Sequence, residues 1–216
     1  MRFDCSVTTE LLEGMRQAKQ TLGRAGLIVL PTDTVYGIGA DAFSAFAVKA
    51  LLEAKGRGRQ SPPPVLIPSL DTLRALADNP PAIAFKLAEK FWPGALTLIV
   101  RAQRSLSWDL GETKGTVALR IPNNDFTLAL LKEVGPLAVS SANLTGEPAA
   151  TNIDEAQKYF EKKVGVYLDG GPTSSNKPST ILDLTEDGFV KVVRVGALSV
   201  AQIKNVVGKD VVVVSD

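Results

Sequence analysis

Apolar residues recur at Leu11, Met15, Ala18 and Leu22, the three-to-four spacing of one helix face. This spacing predicts a first helix, capped by Thr8 or Thr9 and stopped by Gly26. Leu27–Leu30 is an unbroken apolar run and reads as a buried strand. Residues 31–43 show no period and read as a loop. Ser44 caps a second helix that carries Val48, Leu51 and Leu52 down to Lys55. Pro62-Pro63-Pro64 interrupts the chain, and Val65-Leu66-Ile67 is a short strand.

Ser69 and Asn79 are read as caps of two further helices, with Pro81 in the first turn of the second and Trp92-Pro93-Gly94 at its end. Residues 96–100 and 117–121 read as strands, 125–134 as an amphipathic helix and 137–141 as a strand. A helix over 153–160 precedes strands over 164–168, 180–184 and 189–195. The last two are joined by the hairpin signal Thr185-Glu186-Asp187-Gly188. Val200, Ile203, Val206 and Val207 predict a helix, and Val211–Val214 a last strand or a tail. Strands and helices mix without strict alternation. The expected fold class is therefore α/β, a twisted open mixed sheet with flanking helices. No repeat or linker divides the chain, so a single domain over residues 1–216 is expected.

Composition narrows the chemistry. The chain has 216 residues, 45% of them apolar and 22% charged, with a net charge of +1. That balance offers no global field for nucleic acid. A local cluster, Lys55, Arg57 and Arg59, reads either as a solvated loop or as an anion site. Lys55 and Arg57 are placed in a polar loop at a helix C-terminus, where the helix dipole also favours cations. The single cysteine, Cys5, suits a reducing compartment, and no leader or spanning segment is read, so a cytoplasmic setting with no membrane is expected. Histidine is absent, which excludes a Ser-His-Asp triad, a Cys-His dyad and any His-ligated zinc site.

Gly37-Ile38-Gly39-Ala40-Asp41-Ala42 fits the G-x-G-x-x-A dinucleotide fingerprint in a poor context, because six residues separate it from the preceding strand and no acidic residue follows about twenty positions on. Other polar residues carry two readings each. Arg120 closes an apolar strand and is either a surface cation or a forked clamp for a carboxylate or phosphate. Thr34 and Ser179 are turn hydroxyls or ligand contacts. Ser141-Ala142-Asn143 is a strand end with an Asx turn or a polar subsite. Cations, hydroxyls and an amide at element ends are what polyphosphate binding requires.

Six segments in order sharpen this picture: Pro31-Thr32-Asp33-Thr34-Val35-Tyr36-Gly37, Lys55-Gly56-Arg57, residues 91–97, residues 117–122, Ser141-Ala142-Asn143, and Pro178-Ser179-Thr180-Ile181 with Arg194-Val195-Gly196. Together they resemble the YrdC family of threonylcarbamoyl-AMP synthases over roughly residues 10–200. The resemblance implies a concave basic site on an open α/β sheet. It implies catalytic roles for Lys55, Arg57, Ser141 and Asn143. ATP contacts are implied for those four and for Ser61, Thr116, Ala149 and Arg194. Threonine contacts are implied for Thr34, Arg120, Val139 and Ser179. The substrates implied are ATP with Mg²⁺, L-threonine and bicarbonate or CO2, with no metal held by the chain itself. A separate tRNA threonylcarbamoyl transferase would use the product. Many members carry histidine where Leu66 stands here, which removes a polar contact from the threonine pocket. The chain is read as the short form of the family. The rivals are an RNA-binding module without catalysis, weak RNA binding being expected in either case, a carbamoyl-adenylate enzyme acting on carbamoyl phosphate, and a paralogue with another substrate.

Overall fold

The computed structural model describes residues 1–208 and the backbone of 212–215. Its strands are β1 (Arg2–Asp4), β2 (Ile28–Leu30), β3 (Gly37–Asp41), β4 (Val65–Leu66), β5 (Leu96–Arg101), β6 (Thr116–Arg120), β7 (Leu137–Ser141), β8 (Val166–Asp169), β9 (Thr180–Asp183), β10 (Phe189–Arg194) and β11 (Val212–Ser215). They form one mixed sheet in the order β1-β8-β2-β3-β7-β4-β6-β5-β9-β10-β11. The helices are α1 (Thr8–Gly23), α2 (Ala45–Ala54), α3 (Leu70–Leu76), α4 (Ala82–Phe91), α5 (Asp125–Val134), α6 (Ile153–Phe160) and α7 (Val200–Val207). This is the expected fold class.

Alternation along the strands splits the core in two. Leu96, Leu98, Val100, Val117, Leu119, Leu182, Val190 and Val192 point to one face, where α2, α3, α4, α6 and α7 supply the packing partners. Ile28, Leu30, Leu66, Val139, Val166 and Leu168 point to the other, under α1 and α5. Those two helices cover that face from β1 to β7 and reach Leu66 on β4. Over β6, β5, β9 and β10 no helix among the described residues packs on it. There the outward positions Thr97, Ile99, Thr116, Ala118, Arg120, Ile181 and Val193 line a cavity instead. The sheet pattern therefore places the site.

Several local expectations are corrected. Residues 37–41 are not loop. They form β3, antiparallel to both β2 and β7. A Gly-Ile-Gly-Ala segment has no alternation because both of its faces are buried. A Cβ at Gly37 would stand 2.6 Å from the Val139 Cγ1. The glycine pair thus serves close strand packing, and the apparent dinucleotide fingerprint is the strand itself. Asn79 is not a cap. It has φ +44, and Pro81 occupies the N-cap of α4. The first helix starts at Thr8 with Val7 at its N-cap and no side-chain cap bond. The strand β1, too short for a readable pattern, pairs parallel with β8. Ser44 and Ser69 cap α2 and α3 as expected, and Asn124 and Asn152 cap α5 and α6, each side chain accepting a backbone N–H. The hairpin between β9 and β10 is antiparallel as expected, and β11 pairs parallel with β10. Val211 lies outside the described residues. No helix among the described residues is long and apolar enough to cross a membrane.

Candidate functional site

The cavity on the uncovered sheet face has a volume of about 280 Å³. Eight of the residues singled out in the sequence line it together: Thr34, Arg57, Thr116, Arg120, Val139, Ser141, Ser179 and Arg194. Three guanidiniums reach it, and none of its lining residues is acidic. Leu66 lies on its wall, beside Pro62, Pro63 and Pro64. Four others do not line it: Lys55, Asn143, Ser61 and Ala149.

The Lys-Gly-Arg segment sends its two cations to different places, and its glycine is the reason. Lys55 is the C-cap of α2. Gly56 follows with φ +65, a left-handed conformation that glycine adopts without penalty. Arg57 N–H then donates to Leu52 O at 2.8 Å and Gly56 N–H to Glu53 O at 3.0 Å, the bond pair of a Schellman motif. The chain reverses at Gly56, so Lys55 turns inward and Arg57 turns to the cavity.

Lys55 is 1% exposed, which corrects its placement in a polar loop. Its Nζ donates to the Ser141 carbonyl, to the Asn143 carbonyl at 2.7 Å and to Asn143 Oδ1 at 3.4 Å. The Asn143 amide in turn donates to the carbonyls of Leu144 and Glu147, both at 2.8 Å. Lys55 and Asn143 thus fold the 141–147 loop from behind, and that loop presents Ser141 to the cavity. Burial, with Arg57 close by, pushes the Lys55 ammonium down to about 7.

Arg57 bonds only hydroxyls: Thr145 Oγ1 at 3.1 Å and Ser140 Oγ at 3.2 Å. Arg194 donates from Nε and Nη2 to the Ser179 carbonyl, at 3.2 and 2.8 Å. Ser179 Oγ sits 2.8 Å from Thr97 Oγ1. Neither arginine has a carboxylate partner among the ion pairs of the described residues. Burial lowers both guanidinium pKa values, and Arg194 is lowered further by Arg120 and Arg57. Both stay charged, because a guanidinium does not lose its proton in proteins. Two uncompensated cations in one acid-free cavity make an anion site.

Arg120 differs. It is 6% exposed and pairs with Asp33 at 2.6 Å through Nη2. Its Nε donates to Gly94 O at 2.9 Å and its Nη1 to Thr34 Oγ1 at 3.0 Å. Burial lowers its pKa, and Asp33 opposes that shift. A guanidinium has five N–H groups. Three are engaged here, and one on each Nη remains, the number of donors that a two-pronged carboxylate contact needs.

Sequence reasoning missed Asp33 as the partner of Arg120, and Ser140 as the partner of Arg57. Asp33 was visible inside the Pro-Thr-Asp-Thr segment, and Ser140 inside a serine pair. Neither pairing can be read along the chain, because each spans more than eighty residues. Among the described residues no cluster of acidic, cysteine or histidine side chains could hold a metal ion.

The Sua5_yciO_yrdC family model, described as telomere recombination, matches residues 20–196. A Mycobacterium leprae protein, provisionally named threonylcarbamoyl-AMP synthase, is 50% identical over 95% of this chain and 93% of its own. The threonylcarbamoyl-AMP synthase of Bacillus subtilis is 37% identical over 96% of this chain and 61% of its own. The solved structure of Pyrococcus abyssi Sua5 complexed with L-threonine superposes with a TM-score of 0.89 at 33% identity, over 99% of this chain. The chain spans only 62% of that Sua5 chain. With a family match over most of its length and a 50% identical relative covered almost end to end, the chain belongs to the Sua5/YciO/YrdC family.

Proposed function

We propose that this chain is a threonylcarbamoyl-AMP synthase that joins L-threonine, bicarbonate or CO2, and ATP into threonylcarbamoyl-adenylate, releasing pyrophosphate. The observation that carries this reading is the acid-free cavity with three guanidiniums, two of them free of any carboxylate. Relatives named for this activity, and a Sua5 structure complexed with L-threonine, support the choice of substrates. The threonine nitrogen is first carboxylated. A carbamate oxygen then attacks the α-phosphorus of ATP, and pyrophosphate leaves. The nucleophile belongs to the substrate, so a chain without histidine suffices. The protein holds two anions in line and spreads the developing charge.

Arg57 and Arg194 face the phosphates. Thr116 and Ser141 contribute hydroxyls beside them. Arg120 meets the threonine carboxylate with its two remaining N–H groups, and Thr34, Val139 and Ser179 border the rest of the amino acid. Lys55 and Asn143 act through the loop they fold. No carboxylate lines the cavity, so magnesium enters with the nucleotide, as MgATP. The adenylate serves threonylcarbamoylation of tRNA in the cytoplasm by a separate transferase, and any direct RNA binding by this chain is weak.

The direct test is pyrophosphate release with each component omitted in turn. Release is expected only when threonine, bicarbonate and MgATP are all present. Equal release without threonine overturns the assignment. Arg120→Lys tests the amino-acid end, because it keeps the charge and loses the fork. The threonine KM is expected to rise by the equivalent of about 1.5–3 kcal/mol, the range for a bond to a charged group. The ATP KM should change much less. A loss confined to ATP, read by isothermal titration of both ligands, would move Arg120 to the nucleotide end.

A further inference from the structure

We propose that Thr32 and Asp33 set the donor–acceptor polarity of the amino-acid end of the cavity, Thr32 acting through Thr34 and Asp33 through Arg120. The inference rests on the substrate reading above and adds two residues to it. It follows from counting protons. A threonine hydroxyl has one proton to give and two lone pairs to receive with. Thr32 Oγ1 gives its proton to the Val35 carbonyl at 2.6 Å. It receives the Thr34 N–H at 3.1 Å and lies 3.0 Å from Thr34 Oγ1. Its proton is already spent, so in the second contact Thr34 must be the donor. Thr34 Oγ1 also receives Arg120 Nη1 at 3.0 Å. Its proton and one lone pair are thus occupied, and one lone pair is left. A substrate group that meets Thr34 can only donate.

Asp33 completes the arrangement from the other side. Its Oδ1 receives Arg120 Nη2 at 2.6 Å and the Asn123 N–H at 2.9 Å. The Arg120 side chain is buried, 8% exposed, and that of Asp33 is mostly covered, 14% exposed. Gly94, Thr34 and Asp33 together hold the guanidinium by three of its N–H groups, and fix where the other two point. One end of the cavity therefore presents donors for a carboxylate, and the neighbouring hydroxyl presents an acceptor for an amine or hydroxyl. That is the polarity of an amino acid, held in one direction. Thr34 is 1% exposed and Thr32 is 6% exposed, so water has little access to scramble the wiring.

The test uses Thr32→Val, Thr32→Ser and Asp33→Asn in the full chain, with pyrophosphate-release kinetics and thermal unfolding measured on each. Thr32→Val frees the Thr34 proton, and Asp33→Asn removes the charge that anchors Arg120. Each is expected to raise the threonine KM about ten-fold, the effect of roughly one lost oriented bond. The ATP KM should stay within about two-fold. Thr32→Ser restores the hydroxyl and should restore the wild-type threonine KM. In the double variant with Arg120→Lys, Asp33→Asn should add little, because both act through one guanidinium. A purely structural role would lower the unfolding temperature without splitting the two KM values, and that result overturns the proposal. If Asp33→Asn does not fold, the Thr32 pair decides alone. If the wild type proves independent of threonine, the substrate reading falls and takes this proposal with it. If the wild type needs threonine but folded Thr32→Val keeps its KM, only this proposal falls.

Discussion

Arg57→Ala is expected to lower the rate of pyrophosphate formation about 10²- to 10³-fold, the cost of removing one preorganised charge-stabilising donor. The fold should survive. Arg57 bonds two hydroxyls, on Thr145 and Ser140, and no carboxylate, so its removal strands no buried charge. The Schellman turn that positions it uses backbone groups and Gly56, which the substitution leaves alone. Arg57→Lys should recover part of the rate, since charge is kept and the planar donor fork is lost. Kinetics and thermal unfolding on the same preparations are the check. A folded Arg57→Ala chain with near-normal turnover would show that this arginine is no part of the reacting centre.

Lys55→Ala is expected to cost stability first and activity as a consequence. The substitution removes a buried four-carbon stem and the donor that three loop oxygens share. A loss of about 3 kcal/mol follows from cavity formation and lost bonds to a charged group. For a chain of this size that is a fall of roughly 6–12 °C in Tm. Activity should drop with it, because the loop that carries Ser141 loses its clamp. Unchanged Tm with abolished turnover would mean that the Lys55 charge acts on the substrate directly. The charge also has a pH signature. Its folded pKa is about 7, against an ordinary lysine value of about 10.4. Between those values the unfolded chain binds the extra proton, so stability rises with pH from about 7 towards 10. Below 7 the cost of the buried charge is fully present. Lys55→Met should flatten that rise, and Tm measured across this range compares the two chains.

The two cations of one tripeptide thus have opposite fates. Both were visible in the sequence, and so was their place at a helix end. Nothing along the chain separates them, because the separation depends on the left-handed Gly56 and on a loop some ninety residues away. The Asp33–Arg120 pair and the Arg57–Ser140 bond are of the same kind. Their members meet only once β6 and β7 lie in the same sheet as β2 and β3. The mistaken reading of residues 37–41 has a related cause. Periodicity reports a strand only when its two faces see different surroundings, and β3 is buried on both.

By itself, the sequence determined the α/β class, most of the helices through their caps and stripes, the exclusion of histidine-dependent chemistry, and the family pattern of six ordered segments. Those are local or compositional properties, written in neighbouring residues. The tertiary structure decided which half of one sheet face stays uncovered by helices, so that alternate residues of β5, β6, β9 and β10 line a cavity rather than a core. It also decided which cations keep their charge free and which spend it on the fold. Both outcomes depend on contacts between strands far apart in sequence, and burial and pairing come into being only when those strands assemble.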